Sequence, residues 1–226
     1  MIEPVVCVVP AYNADASVEA VVKGLKLHMP RALVLGVDDG STDNTRAVLK
    51  RTCDQVIEFD VNQGKGVALR EAFEWAIENG AAAVLTIDAD GQHDPAVAPA
   101  IVSALDRYDI VIGTREISGK DVPVHRRFAN MLSTAITRKI SKCPVHDSQS
   151  GYRAFRIEVL KQIKQQGTRN EFETVFIILA GNAGFTFGSV PIPVIYDSPT
   201  PSNFRPLHSS FQIAKVLWRH KSLLFR

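Results

Sequence analysis

Short apolar runs rich in β-branched residues alternate with segments of helical spacing through the first half of the chain. Val5 to Val9 is the first such run and reads as a strand. From Ala16 to His28, Val18, Val21, Val22 and Leu25 fall on one side of a helix. Leu33 to Val37 predicts the next strand, and Asp43 to Lys50 the helix after it, with Ser41 or Thr42 placed to cap it. Val56 to Phe59 predicts a short strand, Lys65 to Asn79 a helix stopped by Gly80, Ala83 to Ile87 a strand, Pro95 to Arg107 a helix, and Ile110 to Gly113 a strand. Strands that are apolar throughout, joined by helices, predict an α/β fold with a mostly parallel central sheet and helices on both faces. Right-handed crossovers then bring the C-terminal ends of the strands to one edge, where open sheets bind ligands.

The pattern changes in the second half. Val124 to Ile140 predicts a basic helix, Gly151 to Arg156 a strand, and helices flank Gly167. Phe185 to Ile195 is β-like, a proline-rich stretch from Pro191 to Pro206 predicts a loop crossing the sheet edge, and His208 to Arg226 predicts a terminal amphipathic helix. No internal repeat or low-complexity tract is present.

Composition adds bounds. At 226 residues the chain is long enough for a sizeable core, and 46% hydrophobic with 22% charged residues describes a soluble globular protein. A formal net charge of +2 does not point to nucleic acid, and no such partner is expected. The charge is uneven, however: Arg205, Lys215, Arg219, Lys221 and Arg226 follow Phe204 with no acidic residue among them. Such a segment is a solvated helix face or a surface that meets phosphate or an anionic membrane. Trp218, Phe211, Leu224 and Phe225 beside it serve either a core or a membrane contact. Cys7, Cys53 and Cys143 are far apart, odd in number and without metal-type spacing, which fits a reducing compartment. The N-terminus lacks the pattern of a signal peptide, and the longest apolar run, Val175 to Gly181, is too short to span a bilayer. The expected location is cytoplasmic, with any membrane contact peripheral.

Four polar clusters sit where the predicted strands end: Pro10-Ala11-Tyr12-Asn13, Asp38-Asp39-Gly40-Ser41-Thr42-Asp43, Asn62-Gln63-Gly64-Lys65-Gly66, and Asp88-Ala89-Asp90-Gly91-Gln92-His93. Taken singly, each has a plain structural reading. Asp-Gly-Ser-Thr is a common turn and cap, and Gly-Lys-Gly lacks the spacing of a P-loop. Together on one edge they are harder to explain as turns. Two carboxylates at i, i+2 followed by an amide are oxygen ligands that suit a hard divalent cation, and a cation there can neutralise a diphosphate.

These four clusters, with Asp147-Ser148-Gln149-Ser150-Gly151-Tyr152-Arg153 further on, resemble a family 2 inverting glycosyltransferase of the GT-A fold, in its dolichyl or polyprenyl phosphate sugar synthase branch. The resemblance spans about residues 5 to 200, with the motifs in order. It implies one GT-A domain over residues 1–203, with a nucleotide-binding half over about 1–115 and an acceptor-binding half over about 116–203, followed by a basic amphipathic helix over 204–226. By the same resemblance, Pro10, Tyr12 and Asn13 line the nucleotide pocket and Asp39 contacts the base or ribose. Lys65 approaches the nucleotide or pairs with an acid. Asp90 and Gln92 ligate Mg²⁺ or Mn²⁺, with Asp88 nearby, and His93 is not a needed ligand.

The expected activity is inverting transfer of a hexose from a UDP- or GDP-sugar to a polyprenyl or dolichyl phosphate. An ionised phosphate acceptor needs cations to hold it rather than a base. Arg115, Arg126, Arg127 and Arg153 are candidates, and the resemblance places Arg115, the Arg126-Arg127 pair and Ser133 near the lipid phosphate. A solvated helix face competes for Arg126 and Arg127. Asp147 and Arg153 belong to the catalytic candidates beside Asp90, or else Asp147 caps a turn and pairs with Arg153. Glu171 and Glu173 cap an apolar helix or act near the acceptor. Three other readings remain at this stage: transfer to a hydroxyl with Asp147 or Glu173 as base, a non-catalytic sugar nucleotide binding module, and a nucleotidyltransferase. The last usually carries a glycine-rich basic loop after its first strand, where Pro10-Ala11-Tyr12-Asn13 stands here. Many members continue into membrane helices, which this sequence lacks, so a peripheral contact or a membrane-anchored partner is expected.

Overall fold

The computed structural model describes residues 2–115, 124–163, 171–193 and 195, without the side chains of 124–130 and 132. Strands β1 (Val5–Ala11), β2 (Leu33–Asp38), β3 (Gln55–Glu58) and β4 (Ala83–Thr86) alternate with helices α1 (Val18–His28), α2 (Thr45–Thr52) and α3 (Lys65–Glu78). Then follow α4 (Ala98–Ser103), β5 (Ile110–Arg115), α5 (Val124–Ser141), β6 (Arg153–Arg156), α6 (Ile157–Gln162), α7 (Glu171–Asn182) and β7 (Phe187–Ile192). The strands form one sheet in the order β3-β2-β1-β4-β6-β5-β7. All described pairings are parallel except those of β6, which runs antiparallel to both β4 and β5.

Alternation along the central strands divides the core in two. Cys7, Val9 and Ala11 face α1, α2 and α4, meeting Val18, Val22, Leu25, Leu49 and Ile101. Val6 and Val8 face the other way, toward Leu69, Phe73, Phe172 and Phe176 of α3 and α7. The α/β fold and mostly parallel sheet expected from the pattern are therefore present.

Chain direction reverses at β1. The chain leaves β1 toward β2 and β3, then returns to place β4 on the other side. The β1–β4 ladder ends at Val8 opposite Thr86. Two residues on, Pro10 has no N–H with which to continue it. The two strand ends separate there, and the crevice that open α/β sheets use for ligands lies between them.

Several boundaries differ from those the pattern predicts. The helix expected over Asp43 to Lys50 begins at Thr45. Neither Ser41 nor Thr42 caps it; instead Asp43 Oδ1 accepts the Thr45 N–H at 2.9 Å. The helix expected over Pro95 to Arg107 is three short pieces: 3₁₀ turns at Pro95–Val97 and Ala104–Asp106 flank α4. Pro99 explains the first break. Its ring would strike the carbonyl four residues earlier in a continuous helix, so it occupies the first turn of a new one. Pro191 is tolerated in β7, which pairs only with β5 among the described residues. The helix expected over His208 to Arg226, the basic residues after Phe204 and the 203/204 boundary lie outside the described residues.

Candidate active site

The ends of β1 and β2 are tied to each other by side chains. Asn13 adopts a left-handed φ of 50°, and its Oδ1 accepts the Thr42 N–H at 2.9 Å. Its own N–H donates to Ser41 Oγ at 3.1 Å. Gly40, at φ 71°, is required: a Cβ there would strike the backbone of Val61 and Asn62. Asp38 is fully buried, accepts from Arg46 Nε at 2.7 Å and receives the Ser41 N–H at 3.2 Å. Pro10 is buried within β1, whereas Tyr12 is 39% exposed at the mouth.

Asp39 is buried and reaches across to the loop after β3. Its carboxylate accepts the backbone N–H groups of Gln63 at 2.7 Å and Gly64 at 2.9 Å, and the Asn62 amide at 3.0 Å. The loop that leads into Lys65 is thus hung on Asp39. Nothing local in either cluster signals this contact across 25 residues.

Lys65 opens α3 and lies between two acids: its Nζ is 2.6 Å from Asp88 Oδ1 and 2.9 Å from Glu173 Oε2. Burial works to lower its pKa, but the two carboxylates hold it above the ordinary lysine range. Burial likewise works to raise that of Asp88, and the charge of Lys65 wins, holding it below the usual carboxylate range. Asp90 shows the opposite outcome. Burial, followed by the negative charge of Asp88, pushes its carboxyl up to about 6. Its Oδ1 accepts the Gln92 N–H at 3.0 Å, which turns the chain back toward the sheet. Gly151 packs on Asp88, where a Cβ would collide with the carboxylate. His93 is buried against Tyr152, with ring centroids 5.5 Å apart, and burial lowers its pKa to about 4. Its ring is tilted 36° to that of Tyr152, and its Nδ1 is buried without a hydrogen-bond partner among the described residues.

Among the described residues no group of three or more His, Cys, Asp or Glu is arranged to hold a metal. The residues at this edge that could hold a cation are the two carboxylates Asp88 and Asp90 with the Gln92 amide. These donors are all oxygen, as hard divalent cations require. Of the two acids only Asp90 has a raised pKa, Asp88 being compensated by Lys65, so added positive charge would favour the ionised form of Asp90.

The acceptor side is held differently. Asp147, fully buried, receives a bidentate pair from Arg115, Nε to Oδ2 at 2.7 Å and Nη2 to Oδ1 at 3.0 Å. Burial would raise the Asp147 pKa, but hydrogen bonding to Arg115 and its charge bring it below the usual range. The pairing of Asp147 with Arg153 raised from the sequence is not found; Arg115 takes that place. Arg153, 1% exposed, donates instead to three backbone carbonyls: Ser150 at 2.7 Å, Ser148 at 3.0 Å and Glu173 at 3.0 Å. This guanidinium fastens β6, the 147–151 loop and α7 together, and its Nη2 also lies 3.8 Å from Glu173 Oε1. Ser133 on α5 receives the Gln149 amide at 3.0 Å, joining α5 to the same loop. Arg126 and Arg127 lie in the first turns of α5, and their side chains fall outside the described set. Glu171 and Glu173 form the first turn of α7 rather than preceding it.

Comparison with known proteins agrees with this architecture. The model of the family "Glycosyl transferase family 2" matches residues 6–164. The UDP-N-acetylglucosamine–dolichyl-phosphate N-acetylglucosaminyltransferase of Methanococcus voltae is 30% identical over 213 residues, covering 84% of this chain and 84% of that protein. The polyprenol monophosphomannose synthase of Mycolicibacterium smegmatis is 29% identical over 198 residues, covering 82% of this chain and 75% of its own. Among solved structures, glucosyl-3-phosphoglycerate synthase from Mycobacterium tuberculosis, in complex with Mn²⁺, UDP and glucosyl-3-phosphoglycerate, superposes with a TM-score of 0.72 at 21% identity, over 95% of this chain and 79% of that one. The chain belongs to glycosyltransferase family 2. It is a glycosyltransferase of the GT-A fold, and its named relatives are dolichyl and polyprenyl phosphate sugar transferases.

Proposed function

We propose that this enzyme transfers a hexose from a UDP- or GDP-sugar to a polyprenyl or dolichyl phosphate with inversion, using Mg²⁺ or Mn²⁺. The observation that carries the reading is the Asp88–Asp90 pair at the mouth of the β1–β4 crevice, with Lys65 beside it. Asp88, Asp90 and Gln92 would hold the cation, which when bound stabilises charge on the departing nucleoside diphosphate. Pro10, Tyr12 and Asn13 wall the nucleotide pocket, and Asp39 shapes it through the loop it holds. Lys65 places a fixed ammonium where the diphosphate arrives. Relatives named for lipid phosphate acceptors and a fold neighbour that binds Mn²⁺ with UDP support the same assignment.

The acceptor follows from what the acids are doing. A hydroxyl acceptor needs a free base. Asp147 is clamped by Arg115, and Glu173 is bound to Lys65. Both carboxylates are already engaged by a cationic side chain, which favours an acceptor that is already ionised. Arg126 and Arg127 add positive charge to a helix N-terminus that is already positive, an arrangement relieved by an anion such as a lipid phosphate. Arg115 and Ser133 lie on the elements that frame this end. The enzyme then works at the cytoplasmic face of a membrane, through peripheral contact or a membrane-anchored partner; among the described residues no helix is long and apolar enough to cross a bilayer.

The test is direct. Radiolabelled UDP-glucose, UDP-N-acetylglucosamine or GDP-mannose is incubated with the full chain, a short-chain polyprenyl phosphate and Mn²⁺. Organic-extractable label that disappears with EDTA is expected. Label found only on water-soluble acceptors would overturn the lipid assignment.

A further inference from the structure

Helix α5 differs from α1 and α2 in how its charges are balanced. On α1, Lys23 pairs with Glu19 and Lys26 with Asp54. On α2, Lys50 pairs with Glu58 and Arg51 with Glu19. Over Val124–Ser141 the sequence holds Arg126, Arg127, Arg138 and Lys139 and no Asp or Glu at all. Among the described residues, Arg138 and Lys139 have no acidic partner, and both are exposed.

Large apolar side chains share that side. Met131 is 64% exposed and Ile136 43%. At about 100° per residue, Arg138, Met131, Ala135, Lys139 and Ile136 fall in order within an arc of roughly 160°. The opposite side is spent on the protein. Thr137 and Ser141 are buried, and Thr134 meets Ser148 at 3.2 Å beside the Asp147–Arg115 pair. The helix therefore separates the acceptor end of the site from a surface that is basic, apolar and without acids.

A soluble surface has no use for unbalanced bases set among exposed methionine and isoleucine. A bilayer with anionic lipids matches both: the charges meet phosphates and the apolar side chains enter the headgroup boundary. Resting on the lipid phosphate acceptor argued above, we propose that the outward face of α5, Met131, Ile136, Arg138 and Lys139, lies on an anionic phospholipid surface. Its inward face then sits over the site that receives the lipid phosphate. This docking is separate from any contributed by the basic residues after Phe204.

The experiment is flotation of the full chain with vesicles of phosphatidylcholine alone or with added phosphatidylglycerol. Wild type is expected to float with the anionic vesicles and to be released by high salt. A basic residue at such a surface is worth about a fivefold change in partitioning, so Arg138→Glu/Lys139→Glu should lose roughly 25-fold or more. Met131→Ser/Ile136→Ser should lose severalfold on the same vesicles. In both variants, sugar transfer to a water-soluble short-chain polyprenyl phosphate should stay within about twofold of wild type, since neither pair touches the site. Undiminished flotation of both variants, or no flotation of wild type, would overturn the proposal and point to another segment or to a protein partner. Failure of the wild type to use the short-chain acceptor would instead remove the assigned acceptor, a result the flotation assay does not depend on.

Discussion

The two halves of the sheet hold their acids by opposite means. Across β2, β1 and β4, carboxylates at strand ends accept backbone N–H donors: Asp39 from Gln63 and Gly64, Asp90 from Gln92. Across β6 and β5, guanidiniums do the holding, half-buried Arg115 on Asp147 and buried Arg153 on three carbonyls. The first arrangement leaves Asp90 half-buried beside the charge of Asp88, where the proposed cation would bind. The second neutralises charge inside the core. Function and stability should therefore separate between the halves.

Asp90→Ala gives the largest effect on chemistry. It removes a cation ligand and should lower turnover by about 10³-fold, the scale of losing a key electrostatic contact. The fold should not suffer, because Asp90 is held against burial and the charge of Asp88. Thermal unfolding should stay within about 2 °C of wild type or rise slightly. Retained activity with normal Mn²⁺ dependence would end the metal assignment.

Arg153→Met should reverse that profile. It fills similar volume but leaves the carbonyls of Ser148, Ser150 and Glu173 without their donor in a buried setting. The loss is about 3 kcal/mol, which for a chain of this size lowers the melting temperature by roughly 10 °C. Calorimetry measures it directly. An unchanged melting temperature would mean that Arg153 faces substrate after all.

How legible each half was follows from the same contrast. The parallel strands β1 to β4 were readable because each is an uninterrupted apolar run, and their polar ends were readable because turn and ligand residues follow at once. The Arg115–Asp147 pair spans 32 positions, and the Lys65–Glu173 contact 108. No spacing rule reaches that far, and proximity in sequence offers Arg153 as one alternative partner for Asp147 instead. The antiparallel sense of β6 was equally hidden: Arg153–Arg156 has the composition of a strand, but its direction is set by β4 and β5 on either side. The helical spacing of Pro95 to Arg107 hid the break at Pro99, whose clash with the preceding turn outweighs it.

The buried pair on the acceptor side also gives a pH signature. Asp147 has a folded pKa below its unfolded value, so its contribution to stability is complete above the unfolded carboxylate range near 4. It is lost as pH falls through the lower, folded value. The melting temperature of wild type should drop between about pH 5 and 3. Asp147→Asn, less stable at neutral pH, should show a shallower drop over that window. Parallel curves for the two proteins would show that Asp147 is not a source of the acid sensitivity.

The smallest effect tests the border between the halves. Arg127 occupies the first turns of α5, where a positive charge opposes the helix dipole by about 0.3–1 kcal/mol. Arg127→Ala should therefore leave stability unchanged or raise it by about that amount. If the charge is kept for the lipid phosphate, the same substitution raises the apparent Michaelis constant for polyprenyl phosphate by about five- to tenfold, the worth of one charge-assisted contact, and leaves that for the sugar nucleotide unaltered. A helix face that is merely solvated predicts neither change in kinetics. Equal shifts for both substrates would move Arg127 out of the acceptor site and toward the shared diphosphate region.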